Sequence, residues 1–201
     1  MIDSVEALRG LYAVPTERAQ KKQLSRLDAH CLRFLGLSPF VVLASGSAEG
    51  QYDASPRGGD PGFVKATDAQ TLLIPDASGN NRLDTLQNII ATGRVGLLFL
   101  IPGVDETLRV NGRVRLDSSP GLMAHFASER RAPKIVIEIK VEDAYLHCSK
   151  ALMRSKLWGP EHRIERSALP TMGQMIGDQT GVPAAAVETQ EQMAARYQAE
   201  I

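Results

Sequence analysis

Only two of the 201 residues are cysteine, and Cys31 and Cys148 lie far apart without paired spacing. A disulfide framework is therefore not expected. Tryptophan occurs once and aromatic residues make up 5% of the chain, too few for a base-stacking nucleic-acid surface. Lys plus Arg and Asp plus Glu both number 23, so no excess of either sign recruits nucleic acid or an acidic membrane. No apolar run approaches the ~20 residues of a transmembrane helix. The opening MIDSVEALRG also lacks the basic-then-apolar order of a signal peptide. A soluble, cytoplasmic protein without nucleic-acid or membrane partners is expected.

Several familiar chemistries are missing too. The glycines match neither G-x-G-x-x-G nor a P-loop, which removes dinucleotide-binding Rossmann and NTPase readings. The serine of ASGSAEG stands one position too early for G-x-S-x-G and reads as a hairpin turn. His30-Cys31 and His147-Cys148 would offer a four-ligand zinc set if folding joined them. Adjacent residues on a strand point to opposite faces, however, and no C-x-x-C spacing exists, so no metal site is expected. No general acid or base stands out.

What the chain does have is concentrated in two stretches, DASPRGGDPG at 53–62 and IPDASGNNRLDTLQNI at 74–89. In the first, Arg57 sits among small residues, and glycines let a ligand approach the backbone closely. In the second, Asn80, Asn81 and Arg82 read as the start of an amphipathic helix marked by Leu83, Leu86 and Ile90. Such a start offers free N–H groups, side-chain amides and a cation to an anion. Asn is also a common helix cap, which is the alternative for Asn80 and Asn81. Lys150 and Arg154, four apart, project from one helix face as a second cationic pair or as a solvated face.

Around these stretches the patterning is mostly that of strands. Leu24, Leu27, Cys31, Phe34 and Leu35 recur at helical spacing after Pro15 and Thr16, predicting a helix stopped by Gly36 and Pro39. Strands are expected at 40–44 and 51–56, joined by a turn, and at 71–74, ended by Pro75. VGLLFLI at 95–101 is continuously apolar and predicts a central strand buried on both faces. Leu108, Val110, Val114 and Leu116 alternate with Arg109, Asn111, Arg113 and Arg115. Ile135, Ile137, Ile139 and Val141 alternate in the same way with Glu138, Lys140 and Glu142. Past Cys148 the pattern turns helical or irregular, ending in a helix near 188–201. The expected class is α+β, an antiparallel barrel of six or seven strands with flanking helices. Three regions are expected: a helical extension at 1–36, a barrel domain at 37–160 and a second helical extension at 161–201.

The order of SPRGG (55–59), LLIPD (72–76), NNR (80–82), GLLFLIPG (96–103) and ETLRVNGRVRL (106–116) resembles the FMN-binding split barrels of the pyridoxamine 5′-phosphate oxidase-like class. HCSKALMRSKLW at 147–158 is similar to the family's C-terminal portion. Within the class the chain most resembles a bacterial subgroup of FMN-dependent enzymes. The resemblance implies an FMN site built from Arg57, Gly58, Gly59, Pro75, Asp76, Asn80, Asn81, Arg82 and Thr107. Arg57 would lie near the isoalloxazine ring, and Arg82 with the asparagines at the phosphate. Lys150 and Arg154 would reach the phosphate or ribityl chain. Trp158 is a candidate to cover the cofactor from a neighbouring subunit, the alternative being a core or interface anchor. A homodimer with FMN between subunits is implied, together with a small-molecule substrate and an electron donor or acceptor. The sequence departs from the true oxidase at Asn81-Arg82, where that enzyme has Arg-Lys, and in GGDPG after Arg57. Its set of pyridoxal-phosphate-binding Tyr, Arg and Ser is also missing. FMN binding carries over better than vitamin B6 oxidation. Alternatives are a flavin-sensing module, a deazaflavin protein, and a haem-handling relative with His147, His125 or His162 as axial ligand.

Overall fold

Seven strands form one antiparallel sheet: β1 (Phe40–Gly46), β2 (Tyr52–Gly58), β3 (Lys65–Asp68), β4 (Thr71–Asp76), β5 (Arg94–Ile101), β6 (Val104–Asp117) and β7 (Ile135–His147). In this computed structural model, residues 1–77, 79, 81–181 and 188–200 are described. The chain divides into two compact units, Met1–Trp158 and Gly159–Ile201. The sheet belongs to the first, with strand order β2-β1-β5-β6-β7-β4-β3. β2 and β3 are its terminal strands, so the barrel is split between them. One apolar cluster fills its interior, including Val41, Leu43, Leu72, Phe99, Val110 and Ile139, all fully buried. Each such side chain contributes about 1.5–3 kcal/mol on leaving water.

Helices cover the sheet where its faces remain apolar. The helix predicted from Thr16 onward is broken in two, α2 (Glu17–Lys21) and α3 (Ala29–Leu37). The break comes from Leu24, which pairs as an isolated bridge with Ala144 of β7. Thr16 does cap α2, accepting from Ala19 N, and Asp28 caps α3, accepting from Cys31 N at 2.8 Å. That bond holds the Asp28 carboxyl below its ordinary range. α3 buries Cys31, Phe34 and Leu35, whereas α1 (Val5–Arg9) and α2 bury nothing.

Two expectations about strand faces change. β5 alternates: Val95, Leu97 and Phe99 are buried, but Gly96, Leu98 and Leu100 are only half-buried. It therefore has one core face rather than two. β7 is the strand buried on both faces in its first half, because α5 (Pro120–Met123) and the turn Ala124–Phe126 cover its outside. Leu73, Phe126 and Val136 form a separate small core there. Glu138 is buried on that strand, pairing with Arg115 across the register. Among the described residues no helix is long and apolar enough to cross a membrane.

In the second unit, α7 (Met172–Thr180) opens with a capping box of Thr171 and Gln174. α8 (Gln190–Glu200) opens the same way, with Thr189 and Gln192 exchanging hydrogen bonds.

Candidate cofactor site

β2 turns a polar face inward. Its residues alternate so that Asp53, Ser55 and Arg57 are half-buried and Tyr52, Ala54, Pro56 and Gly58 are exposed. Extended backbone places such i, i+2 residues side by side, and Arg57 Nη1 donates to Ser55 Oγ at 2.5 Å. The guanidinium then crosses the split in the barrel: its Nε lies 3.4 Å from Asp76 Oδ1 at the end of β4. That Nε is buried and makes no hydrogen bond. Burial pushes the Asp76 carboxyl above its ordinary value of 3.8, and the opposing pull of Arg57 is the smaller effect. Arg57 Nε is thus left unsatisfied, which favours an added polar partner.

Facing β2 is the N-terminus of α4 (Asp84–Thr92). Asn81 and Leu83 both adopt left-handed backbone, at φ 61° and 62°. Asn tolerates this, but for Leu it is strained, by about 1–2 kcal/mol. No side chain caps the helix, so its first N–H groups remain open to an anion. The left-handed to right-handed step at Leu83–Asp84 also aims successive N–H groups to one side, as in an anion-binding nest. Two hydrogen bonds fix α4 in place. Thr85 Oγ1 donates to Asp53 Oδ2 at 2.6 Å, and Asn88 Nδ2 donates to Ser45 Oγ at 3.0 Å.

Between these elements lies a cleft of about 520 Å³, within the size range of small-molecule sites. It brings together Arg57, Gly58, Pro75, Asp76, Asn81 and Arg82 from the predicted set. Asn80 falls outside the described residues. Gly59 does not line the cleft; a Cβ there would lie 2.8 Å from Phe63 Cβ, so packing alone accounts for this glycine. Thr107 is buried in a different groove beside His147 and Cys148. Lys150 borders yet another, and Arg154 is exposed on α6 (Lys150–Ser155). Trp158 is half-buried and its Nε1 donates to Val104 O at 2.9 Å. The second cationic pair therefore does not join the cleft of its own chain.

The helix begins at Asp84, later than the Asn-Asn-Arg reading placed it. Its buried side carries Thr85 and Ile89, leaving Leu83 and Ile90 exposed. Arg82 is held by Asp84, Nε to Oδ2 at 2.8 Å, in an exposed pair. Three carboxylates, Asp53, Asp76 and Asp84, line the cleft beside two guanidinium groups. Each has a partner: Thr85 for Asp53, Arg57 for Asp76 and Arg82 for Asp84. Reading the sequence missed Asp53, Asp84 and Thr85, which carry no motif; only the alternation on β2 hints at Asp53. Of the histidines considered for an axial role, His125 and His162 are exposed and His147 is half-buried. Cys31, His147 and Cys148 border one groove. Even so, among the described residues no three metal-ligating side chains are grouped for a metal ion.

The architecture is thus a split antiparallel barrel whose cleft is bounded by an uncapped helix start and a strand-borne arginine. The family model described as pyridoxamine 5′-phosphate oxidase matches residues 27–148, and the chain belongs to that family. No curated protein matches the sequence. A variant of HupZ from Group A Streptococcus is similar in structure, at 16% identity over 60% of this chain and 99% of that one, with TM-score 0.51. A second HupZ structure matches at 15% identity over 60% and 93%, with TM-score 0.50. Both share the fold. An FMN-binding protein from Syntrophomonas wolfei is similar at 10% identity over 58% and 81%, with TM-score 0.45.

Proposed function

We propose that the protein holds FMN in the cleft between β2 and α4 and acts as an oxidoreductase on a small molecule. The observation that carries this reading is the convergence of Arg57, Asn81 and Arg82 on one cleft beside the uncapped start of α4. The donors fit a phosphate ester: open N–H groups, an amide, and a guanidinium whose present partner is an exposed carboxylate. The buried, unbonded Nε of Arg57 fits a carbonyl or ring nitrogen. When bound, FMN supplies the redox chemistry of its ring. The chain's own residues position and polarise. Arg57 presents positive charge beside the ring, and Asp76 holds a proton to higher pH than an ordinary aspartate. Ser55 and Asp53 keep Arg57 and α4 in register with β2.

A homodimer is part of the proposal. Half-buried Leu98 on the outer face of β5 and exposed Ile90 on α4 leave apolar surface on this unit. Arg154 and Trp158 lie outside their own cleft and are available to a partner's. The test is the absorption of the purified protein, with titration of FMN. Two broad flavin bands are expected, and Arg82→Ala should weaken FMN binding by about 1.5–3 kcal/mol, the range for a hydrogen bond to a charged group. Arg57→Ala should shift the reduction potential as well as affinity. A Soret band in place of flavin bands, or unchanged affinity in Arg82→Ala, would overturn the reading.

A further inference from the structure

A larger groove of about 840 Å³ lies in the same unit and shares no lining residue with the cleft. Leu24, Leu146, Cys31 and the Tyr145 ring give it an apolar wall, and Arg18, Lys22 and Lys150 border it with positive charge. Lys22 Nζ donates to Leu146 O at 3.0 Å and lies 5.3 Å from the Tyr145 centroid. Arg109 Cζ approaches the same ring at 5.3 Å. Two carboxylates, Asp28 and Glu106, also border the groove. Asp28 accepts the Cys31 N–H as the cap of α3, and Arg18, Lys22 and Lys150 outnumber the two carboxylates. Of the two cations at Tyr145, Lys22 is the one that lines the groove, where a ligand anion would meet its charge.

His147 adds a second, independent observation. Its imidazole borders the groove, and its Nδ1 is buried without a hydrogen-bond partner. Such an orphan costs about 1–3 kcal/mol until something pairs with it. Burial, Lys22 and Arg109 together hold the ring below its ordinary value of 6.5, so the neutral form prevails near neutral pH.

We propose that this groove is a second ligand site for an aromatic carboxylate, its ring against Tyr145 and Leu24 and its carboxylate toward Lys22 and Arg18, beside the His147 imidazole. An apolar body with one negative end matches a pocket having apolar walls and a few convergent cations. The site is distinct from the cleft of its own chain, since the two share no lining residue.

The test is calorimetric titration of the full-length protein with 2-naphthoate, with and without FMN. Saturable binding is expected, unchanged by FMN, and weakened at least about tenfold by Lys22→Glu and by Arg18→Glu, a difference of about 1.4 kcal/mol. Lys22→Arg should retain it. 2-Naphthylmethylammonium, the same ring system with opposite charge, should bind the wild-type protein at least about tenfold more weakly. The His147 ring resonances should shift on saturation with 2-naphthoate. Absent binding, equal binding of the cation, displacement by FMN, or indifference to both Glu variants would overturn the proposal. The opposite-charge probe decides on the wild-type protein even where a variant fails to fold. Failure of FMN to bind at all would sink the cofactor reading while leaving this titration intact.

Discussion

Replacing Asp84 with Asn should tighten FMN binding, although Asp84 lines the cleft and contacts its principal cation. Arg82 Nε lies 2.8 Å from Asp84 Oδ2, with side chains 74% and 47% exposed. A pair this exposed is worth about 0.2–1 kcal/mol, and a phosphate claiming Arg82 must give that up. The carboxylate would also repel the incoming dianion. Unit charges about 6 Å apart in water repel by about 0.7 kcal/mol, roughly doubled for a dianion and halved again by physiological salt. Both contributions have the same sign, so Asp84→Asn should lower the FMN dissociation constant by about 1–1.5 kcal/mol, roughly five- to twelvefold. Flavin fluorescence titration at low and high salt measures it, and the gain should shrink as salt rises. In an Arg82→Ala background only the repulsion remains, so the gain should fall to about 0.7 kcal/mol. Weaker or unchanged FMN binding in Asp84→Asn would refute the competition between carboxylate and phosphate.

Three other outcomes follow from the geometry. Asp76→Asn removes a carboxyl whose folded pKa is raised above 3.8 by burial. Between the unfolded and folded values the native state holds more protons, so wild-type stability should fall relative to the variant as pH rises through that window. Melting curves from about pH 3 upward read this difference, and a difference that grows with pH would contradict it. Thr85→Val deletes the 2.6 Å hydrogen bond to Asp53 at a buried position; chemical denaturation should show a loss of about 1–3 kcal/mol, with equal stability as the refuting result. Gly112→Ala would set a Cβ 2.2 Å from Lys140 O on the neighbouring strand. That contact is with backbone and cannot rotate away, so a loss of about 1–3 kcal/mol or more is expected in the same assay.

Alternating residues made the strands legible. The alternating sets at Leu108–Leu116 and Ile135–Val141 each put one strand face in the main core, as a two-residue period implies, although the first half of β7 buries its other face as well. Helix readings fared less well where tertiary pairing intervened. Leu24 fits a helical stripe with Leu27 and Cys31, yet its bridge to Ala144 draws it out of helix. Ile90 fits the stripe with Leu83 and Leu86 but is 76% exposed, since α4 rests on Thr85 and Ile89. For the cleft, Arg57 and Arg82 were legible as cations among small or polar residues. Their partners were not: Asp76 meets Arg57 only because β2 and β4 approach across the split. Covering of the outer face of β7 by Leu122, Met123 and Phe126 has no periodic signature either, being a turn and a half of chain.

The terminal position of β2 carries an obligation. A sheet margin bordering an open ligand cleft leaves a row of backbone groups that another polypeptide could extend into a fibre. On this margin stand Pro56, which has no N–H to offer, and the inward-turned charges of Asp53 and Arg57. Proline and inward charge are what natural sheets use to refuse unwanted neighbours. The residues with which β2 lines the cleft also guard its edge against the addition of a foreign strand.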